Sequence, residues 1–258
     1  MKYCSVNVMV NYRRGLCKIL VYACCIISLQ GCLLDRLIET KMLLCEEKVK
    51  AVPDNGISII FDHPVLFDSD IITIIGIQPT RRSEVDRELL LEYLVRRKGD
   101  DPDRIYDVSI TFQFNNEEGR YKLAKAFVDK KITNLLSFEL LNEVLKSGCT
   151  ARLKGKTVEV DLATIDLMKL PKVPEIKKVL GYPHLANANT VTYSYKLDSS
   201  DTAEIVISYD HTTGGMSNVR ITYFRYVFEV DFANKLAKGK LKNWRNATAL
   251  GFLIAVSP

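Results

Sequence analysis

The chain has 258 residues, which is enough to bury a substantial core in one large domain or two small ones. Hydrophobic residues make up 47% and charged residues 26% of the chain, and this ordinary balance argues against intrinsic disorder. The formal net charge is +5. Without the four basic residues that precede position 32, however, the chain has 32 basic and 31 acidic groups. This near-neutral balance implies no phosphate-binding surface, and we expect no nucleic-acid partner.

Residues 1–31 have the layout of an export signal. A positive flank ends at Lys18, residues 19–29 form an apolar core, and Gly31 supplies the small residue that a signal peptidase requires. A start at Met9 would make the positive region more typical. An apolar core of 11 residues is short against the ~20 needed to span a bilayer, which argues against an uncleaved membrane helix.

Leu29-Gln30-Gly31-Cys32 resembles the lipobox of bacterial lipoproteins, in which leucine, a variable residue and a small residue precede a cysteine. Gln30 departs from the small or β-branched residue that is usual there. The resemblance implies cleavage between Gly31 and Cys32 and a lipid anchor on the Cys32 thiol, held by two or three acyl chains. By analogy with Gram-negative sorting, Leu33 implies the outer membrane, with the body facing the periplasm. An ordinary secreted protein is the alternative.

Cleavage at that point would leave three cysteines, Cys32, Cys45 and Cys149. In an oxidising compartment Cys45 and Cys149 would be the only free thiols, so we expect a disulfide between them. The bond would close a loop of about a hundred residues, which the chain-entropy model values at roughly 4 to 5 kcal/mol. Alternatively, Cys149 is a small buried side chain that follows a helix.

Short sequence patterns predict the first elements after the leader. Residues 32–50 read as a lipidated tether or a short helix leading into the fold. Asp54-Asn55-Gly56 is a turn signal and precedes a β-type run, residues 57–61. The β-branched run at residues 71–77 predicts a strand covered on both faces. Ser83, with an acidic residue three positions later, approximates a capping box and predicts a helix up to Arg97.

Clearer signals follow. Strict alternation over residues 106–114 predicts a strand with one buried face, and Asn115 to Gly119 turns the chain into a hairpin partner at residues 121–128. Ser137 caps a predicted helix that ends at Gly148. Residues 151–162 then predict a second hairpin.

Pro171 and Pro174 mark the predicted boundary between an α+β subdomain, residues 51–170, and a helix plus antiparallel-sheet subdomain, residues 171–258. The second part opens with a helix over residues 175–180 that Gly181 ends. Alternating segments follow at 191–197, 205–209, 219–223 and 226–232. Near Arg225 the buried parity flips, which indicates a β-bulge or a bend between two strands. The apolar run 249–256 predicts a final strand. Overall we expect an α+β fold of antiparallel hairpins and sheets packed with a few short helices.

Histidines and acidic residues cluster in two places. The clusters are Asp62, His63, Asp68 and Asp70, and Asp198, Asp201, Asp210 and His211. Each could bind a divalent ion if the chain folded its members together, but both lie at predicted turns, where aspartate is favoured for its own hydrogen bonds. Zinc spacings, phosphate-binding glycine loops and nucleophile elbows are absent from the sequence. We therefore expect no catalytic residue, no cofactor and no metal.

Aromatic residues crowd the second half of the chain: Tyr193, Tyr195, Tyr209, Tyr223, Phe224, Tyr226 and Phe228. They could line an apolar groove for a lipid or a peptide. They are also typical strand residues that fill the core between a sheet and a helix, and this second interpretation is favoured.

Glu175-Ile176-Lys177-Lys178-Val179-Leu180-Gly181-Tyr182-Pro183, followed by Tyr193-Ser194-Tyr195 and further strands, resembles the small lipoproteins of the outer-membrane β-barrel assembly machinery. The resemblance covers residues 175–232 and implies a helix, a Leu-Gly-x-Pro turn and an antiparallel sheet. Residues before 170 have no counterpart in that family.

Taken together, these patterns predict a lipid-anchored envelope protein that is not an enzyme and acts as a binding or assembly accessory for other envelope proteins. A carrier of an apolar ligand in an aromatic-lined groove is the alternative. A periplasmic hydrolase or metal-dependent enzyme is the third hypothesis.

Overall fold

A computed structural model describes residues 33–99, 103–134, 137–154, 157–166, 169–196, 202–210, 212–223 and 226–241. Its strands pair antiparallel and its helices are short, so the fold is α+β, as the sequence predicts. The predicted signal peptide, Gly31, Cys32 and the apolar run 249–256 lie outside the described residues.

The elements are labelled in chain order. They are α1 (residues 33–45), β1 (Val49–Pro53), β2 (Gly56–Phe61), α2 (Asp68–Ile75), β3 (Arg81–Val85), β4 (Glu88–Arg97), β5 (Val108–Glu117), β6 (Arg120–Asp129), α3 (Lys130–Thr133), α4 (Phe138–Ser147), β7 (Arg152–Lys154), β8 (Thr157–Asp161), α5 (Val173–Leu180), β9 (Leu185–Ala186), β10 (Thr190–Lys196), β11 (Thr202–Tyr209), β12 (Met216–Tyr223), β13 (Tyr226–Asp231) and β14 (Leu236–Leu241). A short 3-10 turn, Gly148–Thr150, follows α4.

The strands form one continuous antiparallel path in the order β1-β2-β6-β5-β4-β10-β11-β12-β13-β14-β8-β7. Strand β4 joins the two halves of this path, because it pairs with β5 along most of its length and then with β10 through Arg96 and Arg97. Strand β3 pairs with β4, and β9 pairs with β10. The hairpin β7–β8 lies before the predicted boundary at residue 170 but pairs with β14.

Helix α2 replaces the strand predicted at residues 71–77, so that prediction is wrong. The backbone N–H of Phe67 donates to the Asp70 carboxylate at 2.8 Å, which starts the helix. Gly76 ends it with φ at 82°, in the left-handed region that glycine adopts without strain. These two end signals outweigh the β propensity of the isoleucines between them.

The hairpin β3–β4 replaces the helix predicted from Ser83 to Arg97, which is also wrong. Leu89, Leu91 and Tyr93 are buried and alternate with more exposed residues, so the apolar period is two. The chain reverses at Asp86, whose φ is 55°, a conformation that aspartate tolerates better than most residues. The apparent capping box was therefore a turn.

Most other sequence-predicted elements are confirmed. The turn at Asn55, the hairpin β5–β6 and the hairpin β7–β8 occur as expected. Ser137 Oγ accepts the backbone N–H of Leu140 at 3.2 Å and caps α4. Helix α5 carries a proline in its first turn and ends at Gly181. The parity flip comes from a bend between two strands, because Tyr223 of β12 pairs directly with Tyr226 of β13; residues 224 and 225 lie outside the described part of the chain.

Each longer helix after α1 supplies an apolar side chain to a separate core. The clusters are Ile71 with Leu89, Leu91 and Phe114; Leu140 with Leu162 and Ile165; and Ile176 with Leu180, Val191, Tyr193 and Tyr195. Burying a side chain of this size stabilises the fold by roughly 1.5–3 kcal/mol. Helix α5 is consequently held on the face of β10, next to the point where β4 joins the two halves of the sheet.

Candidate functional site

Helix α1 begins at the residue that follows the predicted lipidation position, and it is packed on the body. Leu33 and Leu43 are each only 8% exposed, and Leu37 packs against the core beneath α2. Residues 33–45 therefore form the short helix that the sequence offered as an alternative to a free tether.

Polar contacts fasten α1 to α2 and to the segment before β7. The Nε and Nη2 atoms of Arg36 each donate to one carboxylate oxygen of Asp70, both at 2.7 Å. The guanidinium of Arg36 also lies 4.6 Å from the centroid of the Phe67 ring, and that of Arg120 lies 5.4 Å from the same centroid. The Lys41 ammonium donates to the backbone carbonyl of Ala151 at 2.9 Å. The bidentate pair of Arg36 with Asp70 is charge-assisted, and such pairs are among the strongest hydrogen bonds in proteins.

A disulfide completes the attachment. Cys45, at the end of α1, is bonded to Cys149 in the 3-10 turn after α4, and their Cα atoms are 5.1 Å apart. This is the pairing that the cysteine count predicts. The bond spans 104 residues of sequence, so it joins the first helix of the described chain to a segment distant in sequence.

The first predicted acid and histidine cluster is dispersed into separate contacts. Asp62 pairs with Lys50 at 2.6 Å, and Asp68 pairs with Arg82 at 3.3 Å. Asp70 is bound to Arg36, and His63 is exposed. Among the residues that the structure describes, no three side chains of metal-ligating type come together.

Asp210 is the member of the second predicted cluster that lies within the described residues, and it stabilises a turn. Its Oδ1 atom accepts the backbone N–H of Thr212 at 2.7 Å, which is the turn role that the sequence favoured. Its predicted partners Asp198, Asp201 and His211 lie outside the described residues.

His184 links β10 to the end of β4. Its Nδ1 accepts the backbone N–H of Ser194 at 3.0 Å, so Nε2 carries the proton and donates to the Lys98 carbonyl. Both ring nitrogens are used by the backbone, which is a structural role.

The aromatic residues of the second half lie mainly in the core. Tyr193, Tyr195 and Tyr226 are buried, and the Tyr226 hydroxyl donates to the Ile74 carbonyl at 3.0 Å. Tyr223 similarly donates to the Ile75 carbonyl at 2.8 Å, so two tyrosines of the second half of the sheet bind the end of α2. Burial raises the pKa of Tyr193 and of Tyr195 to about 12.

A cleft that the sequence analysis missed opens beside α5. Its volume is about 770 Å³, and its walls come from the segment before β5, from α3 and from the segments around α4 and α5. The polar lining includes Tyr106, Lys131, Asn134, Lys169, Glu175 and Lys178. No local signal identifies such a site, because the lysines are spread over 48 positions and each alone is typical of a solvated surface.

Arg97 fixes one wall of this cleft. It donates to the carbonyls of Leu180 and Tyr182 at the end of α5, and its guanidinium lies 4.7 Å from the Tyr106 ring centroid. Positive charge at a helix C-terminus is favourable because the backbone carbonyls there carry partial negative charge. Gly181 has a φ of 75°, and a Cβ there would overlap Arg97 and Tyr106, so the close approach requires glycine.

A separate exposed apolar patch comes from the loop after α5 and from β9. Tyr182 is 84% exposed and Leu185 is 66% exposed. Neighbouring exposed apolar side chains can supply contact area for a partner, so the patch is a candidate contact surface.

Comparisons with known proteins gave no match to a protein-family model, a curated protein or a solved structure. Within the described residues, none of the helices combines the length and the apolar character needed to cross a bilayer.

Proposed function

We propose that this chain is an envelope lipoprotein, anchored to the outer membrane through Cys32, that acts without catalysis as a binding or assembly accessory for other envelope proteins. The disulfide between Cys45 and Cys149 is the observation that carries the proposal. Such bonds persist in exported proteins and are rare in the cytosol, so the bond supports the export that the lipobox resemblance implies.

The packing of α1 gives the anchor a mechanical consequence. Because Leu33 is already buried, cleavage before Cys32 would leave the acylated residue directly next to the folded body. The Arg36–Asp70 pair and the disulfide hold both ends of α1. Acyl chains on Cys32 would thus restrain the orientation of the body at the membrane.

Two surfaces support an accessory role. Tyr182 and Leu185 form the exposed patch beside α5. Strand β3 pairs only with β4 among the described strands, and its Val85 side chain is 64% exposed. An unpaired strand edge can accept a strand from a partner, and exposed apolar side chains add contact area.

Site-specific photo-crosslinking in intact cells tests the accessory role. A photoreactive residue at position 185 should give a discrete crosslinked protein in the membrane fraction, and the same residue at Lys177, an exposed position on α5, should not. Position 85 tests the strand edge in the same way. Absence of a discrete product at both 185 and 85 would contradict the accessory role.

A further inference from the structure

The cleft beside α5 is lined by three lysines, Lys131, Lys169 and Lys178, and by one carboxylate, that of Glu175. Within the described chain, no carboxylate lies within 4.0 Å of the ammonium of Lys131 or of Lys178. Lys169 has a carboxylate partner, Glu143, at 3.3 Å, and it also interacts electrostatically with the carboxylate of Glu139. Glu175 also lines the cleft, but its Oε2 accepts the backbone N–H of Lys172 at 2.7 Å and caps α5.

The N-terminus of α4, where the backbone N–H groups carry partial positive charge, does not add to the attraction for an anionic ligand. The carboxylate of Glu139 accepts its own backbone N–H and the Ser137 hydroxyl, and these hydrogen bonds lower the pKa of Glu139. That helix end is therefore already neutralised, and attraction for a ligand rests on the lysines.

The cleft is also held in shape before any ligand enters. The Lys131 ammonium donates to the backbone carbonyl of Asp107, whose carboxylate accepts the backbone N–H of Arg97 at 3.0 Å. Arg97 in turn holds Tyr106 and the end of α5. A site that is ordered in advance loses less entropy on binding.

We propose that this cleft binds the phosphate group of an anionic ligand, with Lys131, Lys169 and Lys178 supplying the charge and the Tyr106 ring forming one wall. Lysine ammonium groups bind phosphate as point charges, and two of these three lack a carboxylate that would have to be displaced. The volume of about 770 Å³ admits a ligand larger than phosphate itself. The phosphate could belong to a soluble metabolite or to a lipid headgroup.

Calorimetric titration of the detergent-extracted full-length product tests the proposal. The probes are inorganic phosphate and dihexanoyl phosphatidylglycerol, titrated at low salt in an uncharged detergent. Binding of inorganic phosphate assigns the site to soluble phosphates, and binding of the lipid alone assigns it to a headgroup. If neither binds, the proposal is wrong.

Adjacent lysines on α5 provide a matched control. Lys178→Ala should weaken binding about tenfold, the effect of losing one charged hydrogen bond, because this side chain lines the cleft. Lys177→Ala removes the same charge from the same helix but from outside the lining, and should change the affinity less than twofold. Equal losses in the two variants would show non-specific attraction and overturn the proposal. The outcome is independent of Cys32, whose acylation is measured separately by intact mass.

Discussion

Arg36 and Asp70 form a bidentate ion pair in which both N···O distances are 2.7 Å and the Asp70 side chain is only 5% exposed. The same carboxylate accepts the Phe67 backbone N–H, so one buried group both starts α2 and binds α1. Stability of the α1 attachment should therefore depend on Asp70.

Asp70→Asn should lower the free energy of unfolding by about 2–3 kcal/mol, because it leaves the Arg36 guanidinium without its counter-charge. Urea denaturation of the purified protein measures this. Asp62→Asn is the matched control: its pair with Lys50 is solvent-exposed and should contribute less than about 1 kcal/mol. Similar losses for the two variants would show that the Arg36–Asp70 pair has no special role.

The double variant Cys45→Ser/Cys149→Ser should lower the free energy of unfolding by about 4–5 kcal/mol, because the denatured chain regains the freedom of a loop of about a hundred residues. Denaturation with and without reductant measures the loss. Reductant should destabilise the parent protein by the same amount and leave the variant unchanged. A parent protein that is insensitive to complete reduction contradicts this account.

Arg97→Met should destabilise the protein by about 3 kcal/mol, because two carbonyls at the end of α5 lose their charged donor and the Tyr106 ring loses its guanidinium neighbour. Arg96→Met changes the exposed neighbour on β4 and should cost less than about 0.5 kcal/mol. Thermal denaturation followed by circular dichroism compares the two. The prediction fails if Arg96→Met is the more harmful change.

Tyr195→Phe should be neutral or stabilising by up to about 1 kcal/mol at pH 7, because the buried hydroxyl has no hydrogen-bond partner among the described residues. The sign of the pH effect follows from the raised pKa. Above pH 10 an unfolded chain ionises this tyrosine, while the folded protein, with a pKa of about 12, does not.

The parent protein should therefore lose stability relative to Tyr195→Phe as the pH rises from 10 towards 12, by about 1 kcal/mol at pH 11. Urea denaturation at pH 7 and pH 11 gives both values. A difference between the proteins that is the same at the two pH values would contradict the assignment.

The sequence predicts elements whose signals are local and agree with one another. Helix α5 has a proline in its first turn and Gly181 after its last residue, and the sequence of β5 alternates between apolar and polar residues from Val108 to Phe114. Both α2 and β4 were mispredicted because their leucines and isoleucines fit two periods. The contact that decides α2 is a local one in its first turn, whereas the burial that decides β4 is tertiary. Asp70 acts at the start of α2, and burial of Leu89 and Leu91 fixes the register of β4.

Of the candidate sites, the disulfide could be predicted from the sequence and the cleft could not. The pairing of Cys45 with Cys149 could be predicted because only these two cysteines follow Cys32 in the sequence. The cleft could not be predicted, because Lys131 and Lys178 line the same cleft only after the pairing of β4 with β10 has joined the two halves of the sheet. Sequence distance conceals such convergence of surface charges.

The intact mass of the protein purified from membranes shows whether Cys32 carries a lipid anchor. We expect a chain that begins at Cys32, carries the added mass of acyl chains and contains a disulfide, together with an unprocessed precursor in the Cys32→Ser variant. A product that retains residues 1–31 with an unmodified Cys32 would contradict this expectation.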